Sequence, residues 1–574
     1  MHAFGISKGG GTVVIPYLLQ LRGILTRCLH DVDENVRAVC SRGLAELVES
    51  SLNGKDGNDT SLLTVYGTLP WLVLMLERAI TDPLSSLRAA ATDILWMVAD
   101  LGARPHINIG TEVGGPAIGG GLSELYEVPY LLQARLLPLL NRLCEDQSPV
   151  VRRVAASNLP RVYKSLGSRW YLVLVDVLVT LMAEPSPTKG SESSNSKGEK
   201  DEGVRGEAVL SASGIVEVIL LANESLGENE AGTDTLSMIF GTLVGVLNDS
   251  SPVVRAKLAE SAGLMLVLLS DETHDCGEQK MQIDEVLIPL VQRLLHDPVQ
   301  LVVSAALGAV ASSSVGSALS LSQITKLLPT LLHLSQNDDW RVRVSAVEVI
   351  PSLVGATHET QPKKKKLLDI TSRRRSGVDV MSIRAEIGKI CADLLEDKVW
   401  EVRIRAAKAI CDGVWQEEKG GIVYEEKGGV ATLENSWYSY VVTPHLHSSL
   451  KSNQPRLRMV GVEICRLLLM HHVGDDASSA KKSFTPPLDL TSSVKPADIL
   501  DLLLEASKDK VPNIRIAIAR LLSEPDCLRT VLKDDNSRKE REIVEGIITR
   551  LTTTEQDRDV RFFGRAAMKA LAEV

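Results

Sequence analysis

The sequence predicts an all-α chain, a right-handed α-solenoid of about eleven helix pairs. Three observations predict it. The chain is 574 residues long, too long for one ordinary core, which leaves several domains or a repeat array. Its residues are 44% apolar but only 4% aromatic, with Leu, Val and Ala dominant, a composition suited to helix-on-helix packing rather than a β-sandwich. Third, a short pattern around an arginine recurs along the whole length.

The pattern is anchored on Arg37, Arg88, Arg152, Arg205, Arg255, Arg343, Arg403, Arg458, Arg515 and Arg561, with Val303 filling the slot once. The residue before the anchor is aliphatic in all eleven copies: Val36, Leu87, Val151, Val204, Val254, Val302, Val342, Val402, Leu457, Ile514 and Val560. Three residues after it stands Ala or Gly in eight copies, with Cys40, Leu258 and Ile518 as departures. Six residues before it stands Asp in seven: Asp31, Asp82, Asp146, Asp249, Asp297, Asp397 and Asp509.

Each slot has a physical use. In NDDWRVRVSAVEVIPSLVG, Val342, Ala346, Val349, Ile350 and Leu353 share one helix face. An apolar helical stretch, SQITKLLPTLLHLSQ, precedes the turn. Each unit is therefore helix A, a short turn and helix B. The acid or its neighbours cap helix B, the aliphatic residue plugs the pair, and the small residue admits close approach. The arginine is expected to reach an acidic turn in its own or the next unit, making a ladder along one edge. Pro160 and Pro351, each eight residues after an anchor, are expected to bend helix B.

Anchor spacings run from 40 to 64 residues. The excess is expected as loop at 50–61, 102–125, 186–203, 224–234, 270–282, 357–380, 415–433 and 473–495. Only 186–203 interrupts an A–B turn, so the edge carrying those turns is kept short and is the expected working face. Three residues before the anchor stand Pro149, Pro252, Pro455 and Pro512, suited to a first helical turn. Two consecutive copies carry Trp340 and Trp400 there instead. A first-turn tryptophan points away from the helix seam, toward a partner or flat on the neighbouring turn, and Trp and Arg dominate interface hot spots.

Two-helix units with D-x-x-x-x-V-R at the turn resemble HEAT repeats. NDDWRVRVSAVEVIPSLVG, followed by DKVWEVRIRAAKAI, NQPRLRMVGVEICRLLL, KDKVPNIRIAIARLL and QDRDVRFFGRAAMKAL, is similar in order to the last five repeats of the scaffold subunit of protein phosphatase 2A and the related regulatory subunit 1 of protein phosphatase 4. The resemblance implies a non-catalytic scaffold that binds a Ser/Thr protein phosphatase catalytic subunit through residues 321–574. Residues 1–320 would then face a regulatory B-type subunit or substrates. It implies that Asp339, Trp340 and Arg341 contact the catalytic subunit, with Trp400, Glu401, Arg458 and Asn513 at comparable turn positions. The chain has fewer units and longer insertions than the phosphatase 2A scaffold, and its first helix lacks a polar capping repeat, as in the later part of a longer array.

Other readings stay open beside it. One is a transport or trafficking adaptor holding peptides or a small GTPase on its B helices. Another is a chromosome- or ribosome-associated HEAT protein using the basic loop PKKKKLLDITSRRRS, which could equally be an import signal. A net charge of −10 argues against non-specific nucleic-acid binding as the main task. His445, His447 and the His471–His472 pair lack a helix-spaced third ligand, so no metal and no cofactor is expected. The glycine runs lack a phosphate-loop signature, and no catalytic set is apparent. The eight cysteines show no C-x-x-C pair and read as buried reduced thiols. The N-terminus lacks a secretory pattern and WYLVLVDVLVTLM is too short to span a bilayer, so the expected place is the cytoplasm, with the nucleus as a second candidate place.

Overall fold

A computed structural model describes residues 23–52, 73–103, 135–166, 170–185, 198–226, 230–270, 282–313, 319–357, 380–419, 436–470, 496–532 and 538–574. Among these residues every regular element is helical. The chain divides into two compact units, Met1–Ala306 and Leu307–Val574, each an all-α solenoid of HEAT-like helix pairs.

The first unit contains α1 (23–29), α2 (Glu34–Leu52), α3 (73–80), α4 (Ser85–Ala103), α5 (Leu137–Cys144), α6 (Pro149–Leu166), α7 (Tyr171–Met182), α8 (Glu202–Leu226), α9 (Glu230–Val246), α10 (Pro252–Leu269), α11 (Ile288–Leu295) and α12 (Gln300–Ser313), the last holding the boundary. The second contains α13 (Leu321–Ser335), α14 (Trp340–Glu348), α15 (Ile350–Ala356), α16 (Val380–Leu395), α17 (Trp400–Lys419), α18 (Thr443–Lys451), α19 (Pro455–Met470), α20 (Pro496–Ala506), α21 (Pro512–Leu522), α22 (Pro525–Val531), α23 (Arg538–Thr549) and α24 (Arg558–Glu573). Odd-then-even pairing makes six A–B pairs in the first set. The second gives five, with α14 and α15 sharing one B position and α22 inserted before the last pair.

Each B helix packs on the next: α2, α4, α6, α8 and α10 in one unit, and α14–α15, α17, α19, α21 and α24 in the other. The aliphatic residue before the anchor lies in this seam. It is buried in ten of eleven repeats, Val36 being the half-buried departure. The small residue after the anchor is needed for contact distance. A Cβ on Gly461 would stand 2.7 Å from Leu450 of helix A, and one on Gly564 would stand 2.8 Å from the Leu551 carbonyl oxygen. Pro149, Pro252, Pro455 and Pro512 each open a B helix, where the missing N–H has no intrahelical partner to lose.

The two helix-B prolines behave differently. At Pro351 the helix is interrupted at Val349, between α14 and α15. At Pro160 α6 runs on unbroken, and the ring sits where a Cβ on Gly214 of α8 would be 3.0 Å from its Cγ, so a glycine in the next B helix makes room for it. The shared offset therefore interrupts one helix and leaves the other continuous. The loop expected at 224–234 is also mostly helix, because α8 runs to Leu226 and α9 begins at Glu230. The basic 363–375 loop, the His471–His472 pair, Cys276 and both glycine runs lie outside the described residues.

Cys40, Cys144, Cys391, Cys411, Cys465 and Cys527 are buried free thiols, and Cys28 is half-buried. Burial pushes the thiols of Cys40, Cys144, Cys465 and Cys527 up to about 12. The largest fully buried side chain, Trp437, donates from Nε1 to the Ile410 carbonyl at 3.0 Å. Its indole lies against Gly413 of α17, where a Cβ would approach Nε1 to 2.7 Å.

Candidate partner-binding edge

The edge of each unit that carries the A–B turns is built by one repeated hydrogen-bond device. The residue six before each anchor ends helix A, and its side chain accepts the backbone N–H two residues on. Asp82 does this for Leu84 at 2.9 Å, Asp249 for Ser251 at 2.8 Å and Asp509 for Val511 at 2.8 Å. Asn337 does the same for Asp339 at 2.9 Å, so closing the turn requires an oxygen and not a charge. Where the residue four before the anchor is an acid, it caps helix B. Asp339 accepts from the Arg341 N–H at 2.9 Å, and Asp557 accepts from Asp559 and Val560.

The anchor arginine crosses this turn. Its Nη1 donates to the carbonyls of its own turn: for Arg343, to Asn337 at 2.7 Å and Asp338 at 3.0 Å. Its Nε and Nη2 reach the acid of the following turn in a two-pronged pair. In the first unit the pairs are Arg37–Asp82, Arg88–Asp146, Arg152–Glu199, Arg205–Asp249 and Arg255–Asp297, with Nε–oxygen distances of 2.6–2.7 Å. In the second they are Arg343–Asp397, Arg458–Asp509 and Arg515–Glu555, at 2.5–2.7 Å. The expected ladder exists, and it runs to the next repeat.

Glu199 and Glu555 are rungs that a search for aspartate alone misses. Glu199 also shows how the long insertion in its turn is tolerated. Its N–H donates to the Ala183 carbonyl at 2.9 Å, so the chain leaves and rejoins the turn at one point while the ladder passes intact. Burial by itself would raise the carboxyls of Asp146, Asp509 and Glu555. The guanidinium facing each, with the backbone N–H groups of the turn, overcomes burial and holds all three below their usual range.

With the anchors occupied internally, the outward positions of the edge are those two and three residues before them. Trp340 is half-buried, and the exposed Arg341 lies over its ring at 5.1 Å, with Asp339 beneath the turn. These three residues form one patch. Trp400 is 42% exposed, next to the exposed Glu401, and the Arg403 guanidinium sits 5.3 Å from its ring centroid. Asn513 is exposed at the same offset as Arg341 and Glu401. Arg458 is placed differently. Its Nε–Asp509 bond of 2.5 Å and its Nη1 bond of 2.8 Å to the Ser452 carbonyl make it a rung of the ladder.

One rung is incomplete. Arg403 keeps an Nη1 bond of 2.5 Å to its own Asp397 carbonyl, but its Nε is buried with no hydrogen-bond partner, and the residue is only 6% exposed. Burial, and then the nearby Arg456, push its guanidinium below the usual arginine value, the opposite of the direction at Arg88, Arg152, Arg205 and Arg255. The cause is legible in the sequence once the columns are read jointly: the residue six before Arg458 is Ser452, not an acid.

Two residues before its anchors the first unit carries Asn35, Ser86, Val150, Gly203, Val253 and Leu301, of which the three aliphatic side chains are exposed, and the second carries Arg341, Glu401, Arg456, Asn513 and Asp559. Among the described residues no group of three or more His, Cys, Asp or Glu side chains is arranged to hold a metal ion. None of the described helices is long and apolar enough to cross a membrane.

No family model matches this sequence. No curated protein matches it significantly either. Among solved structures, importin β aligns with 96% of this chain and 55% of its own, at 12% identity and a TM-score of 0.47. Kap95p, in a structure with RanGDP, aligns with 96% of this chain and 66% of its own, at 12% identity and a TM-score of 0.42. An engineered protein aligns with 87% of this chain at 14% identity and a TM-score of 0.31. The chain thus spans about half to two thirds of the length of importin β and Kap95p.

Proposed function

We propose that the protein is a non-catalytic scaffold that binds a Ser/Thr protein phosphatase catalytic subunit on the A–B turn edge of its second unit and holds it toward substrates or a B-type regulatory subunit. The observation that carries this reading is the patch of Asp339, Trp340 and Arg341. Its backbone is fixed by the Asp339 cap, while Arg341 and part of the indole remain available to a partner. A half-buried aromatic beside an exposed guanidinium suits a hot spot, because part of the indole's freedom is already lost before binding. Trp400, Glu401 and Asn513 extend the same edge. The similarity of this segment to the phosphatase scaffold repeats supports the choice of partner. A scaffold of this kind acts by raising effective concentration and limiting orientation, and the chemistry belongs to the partner.

The test is direct binding of the purified chain to the catalytic subunits of phosphatases 2A and 4. The expected result is submicromolar Kd for one of them, weakened more than about tenfold, or ~1.4 kcal/mol, by Trp340→Ala. Absence of binding to both refutes the phosphatase reading and returns the adaptor reading to the front. Binding that survives the substitution removes the patch from the interface.

A further inference from the structure

Ser452 occupies a slot that holds an acid in every complete rung: Asp82, Asp146, Glu199, Asp249, Asp297, Asp397, Asp509 and Glu555. It retains half of that slot's work. Its Oγ accepts the Gln454 N–H at 3.1 Å, as Asp397 accepts from Val399 at 2.7 Å. A hydroxyl cannot supply the other half, a bidentate negative charge for the arginine of the preceding turn. Arg403 is that arginine, and its buried Nε is left without an acceptor. We propose that Ser452 is a phosphorylation site, and that its phosphoryl group completes the ladder by docking on Arg403.

Four features of the site suit a phosphoserine. The slot accepts acids longer than aspartate, since Glu199 and Glu555 fill it in two other rungs at 2.6 Å from their arginines. A second guanidinium is already fixed beside it, with Arg458 Nη1 donating to the Ser452 carbonyl at 2.8 Å. A third, Arg456, is held in the same turn by an Nε bond of 2.8 Å to Gln454 Oε1. Ser452 itself is half-buried, but Lys451, Asn453 and Gln454 around it are exposed, so an enzyme can reach the turn. Ser452 ends α18, where the helix dipole disfavours an anion, yet aspartate or glutamate stands at the same offset in all eight complete rungs, so the arginines outweigh the dipole.

The chemistry balances with one co-substrate. Ser452 Oγ attacks the terminal phosphorus of a nucleoside triphosphate held by a Ser/Thr kinase. The Oγ–P bond forms, the bond to the bridging oxygen breaks, the nucleoside diphosphate leaves, and the hydroxyl proton passes to the kinase base. The product carries close to two negative charges at neutral pH, with a second ionisation near about 6, and three acceptor oxygens for charge-assisted bonds. The modification would join the turns before α17 and α19 and place negative charge beside Trp400. It does not depend on which partner the edge binds.

Two measurements test it on the full chain. In the first, phosphoserine is installed at 452 by codon reassignment and titrated by phosphorus NMR. The second ionisation is expected at least half a pH unit below the unperturbed value of about 6, with most of that shift lost in Arg403→Met. Equal titration in the two backgrounds overturns the docking. Should Arg403→Met not fold, Ser452→Asp serves instead: it is expected to raise the melting temperature and slow amide exchange at 452–454, and no change in either overturns the assignment. In the second, the chain is incubated with ATP and an extract of its own cells under phosphatase inhibition and mapped by mass spectrometry. Phosphate at Ser452 supports the site, and its absence there overturns it.

Discussion

The Arg205–Asp249 rung gives the sharpest test of the ladder. Its side chains are only 4% and 2% exposed, and its bonds are 2.7 and 2.9 Å. Two unit charges about 4 Å apart interact by about 4 kcal/mol at an effective dielectric of about 20, and removing one partner of a buried pair costs about 3–5 kcal/mol because the other is left unpaired. Asp249 also closes its own turn through the Ser251 N–H, at 2.8 Å. The two tasks can be separated. Asp249→Asn keeps the turn bond, as Asn337 does naturally, but loses the charge, and is expected to cost about 2–4 kcal/mol. Asp249→Ala loses both and is expected to cost about 1 kcal/mol more. Urea unfolding of the full chain, followed by helical circular dichroism and by amide exchange in α8 and α10, reads both values. Because each rung joins neighbouring repeats, the loss should be concentrated there. If Asp249→Asn is within about 0.5 kcal/mol of wild type, the ladder is ornamental and the reasoning fails.

Two further expectations follow from the same geometry. Asp146, Asp509 and Glu555 have depressed folded-state pKa values, so their contribution is complete above the unfolded-state values of about 4 and is lost as pH falls through the lower folded-state values. The urea midpoint should therefore fall steeply below about pH 4, after a smaller decline below about pH 6.5 where burial holds His445 under its usual value, and a midpoint that holds to pH 3 would contradict the pairing. Gly564→Ala should destabilise by about 1–3 kcal/mol, because the new Cβ meets a backbone carbonyl oxygen at 2.8 Å. Gly308→Ala, in α12 with nothing within 4 Å, should stabilise by about 0.5–1 kcal/mol. Melting curves that rank the two glycines the other way would refute the packing account.

The repeat, its two-helix unit and its apolar seam were legible in the sequence because they depend on local periodicity. Val342, Ala346 and Ile350 announce one helix face, and all three are buried as that face requires. The edge was legible too, since insertions avoid it. Less legible were the uses of individual side chains on that edge. Arg458 and Arg403 occupy the same column, yet one is held by Asp509 and the other has no acid to meet. Glu199 was hidden because a long insertion separates it from its helix A, and only the backbone bond to Ala183 shows that it still belongs to the turn.

That this is a chain of helix pairs, where each pair turns, and that ten of the eleven turns carry an arginine at one fixed slot can all be read from the sequence. Those properties arise within some twenty residues and leave a periodic trace. Tertiary structure alone decided which acid each arginine meets, since the partners lie 40 to 58 residues apart and are brought together by the stacking of neighbouring repeats. It also decided that Pro160 is absorbed by a glycine on the next helix while Pro351 breaks its own, and that one turn of the ladder holds a buried guanidinium without an acid. Contact across a seam depends on side-chain volume and reach on both sides, and neither is written in the period.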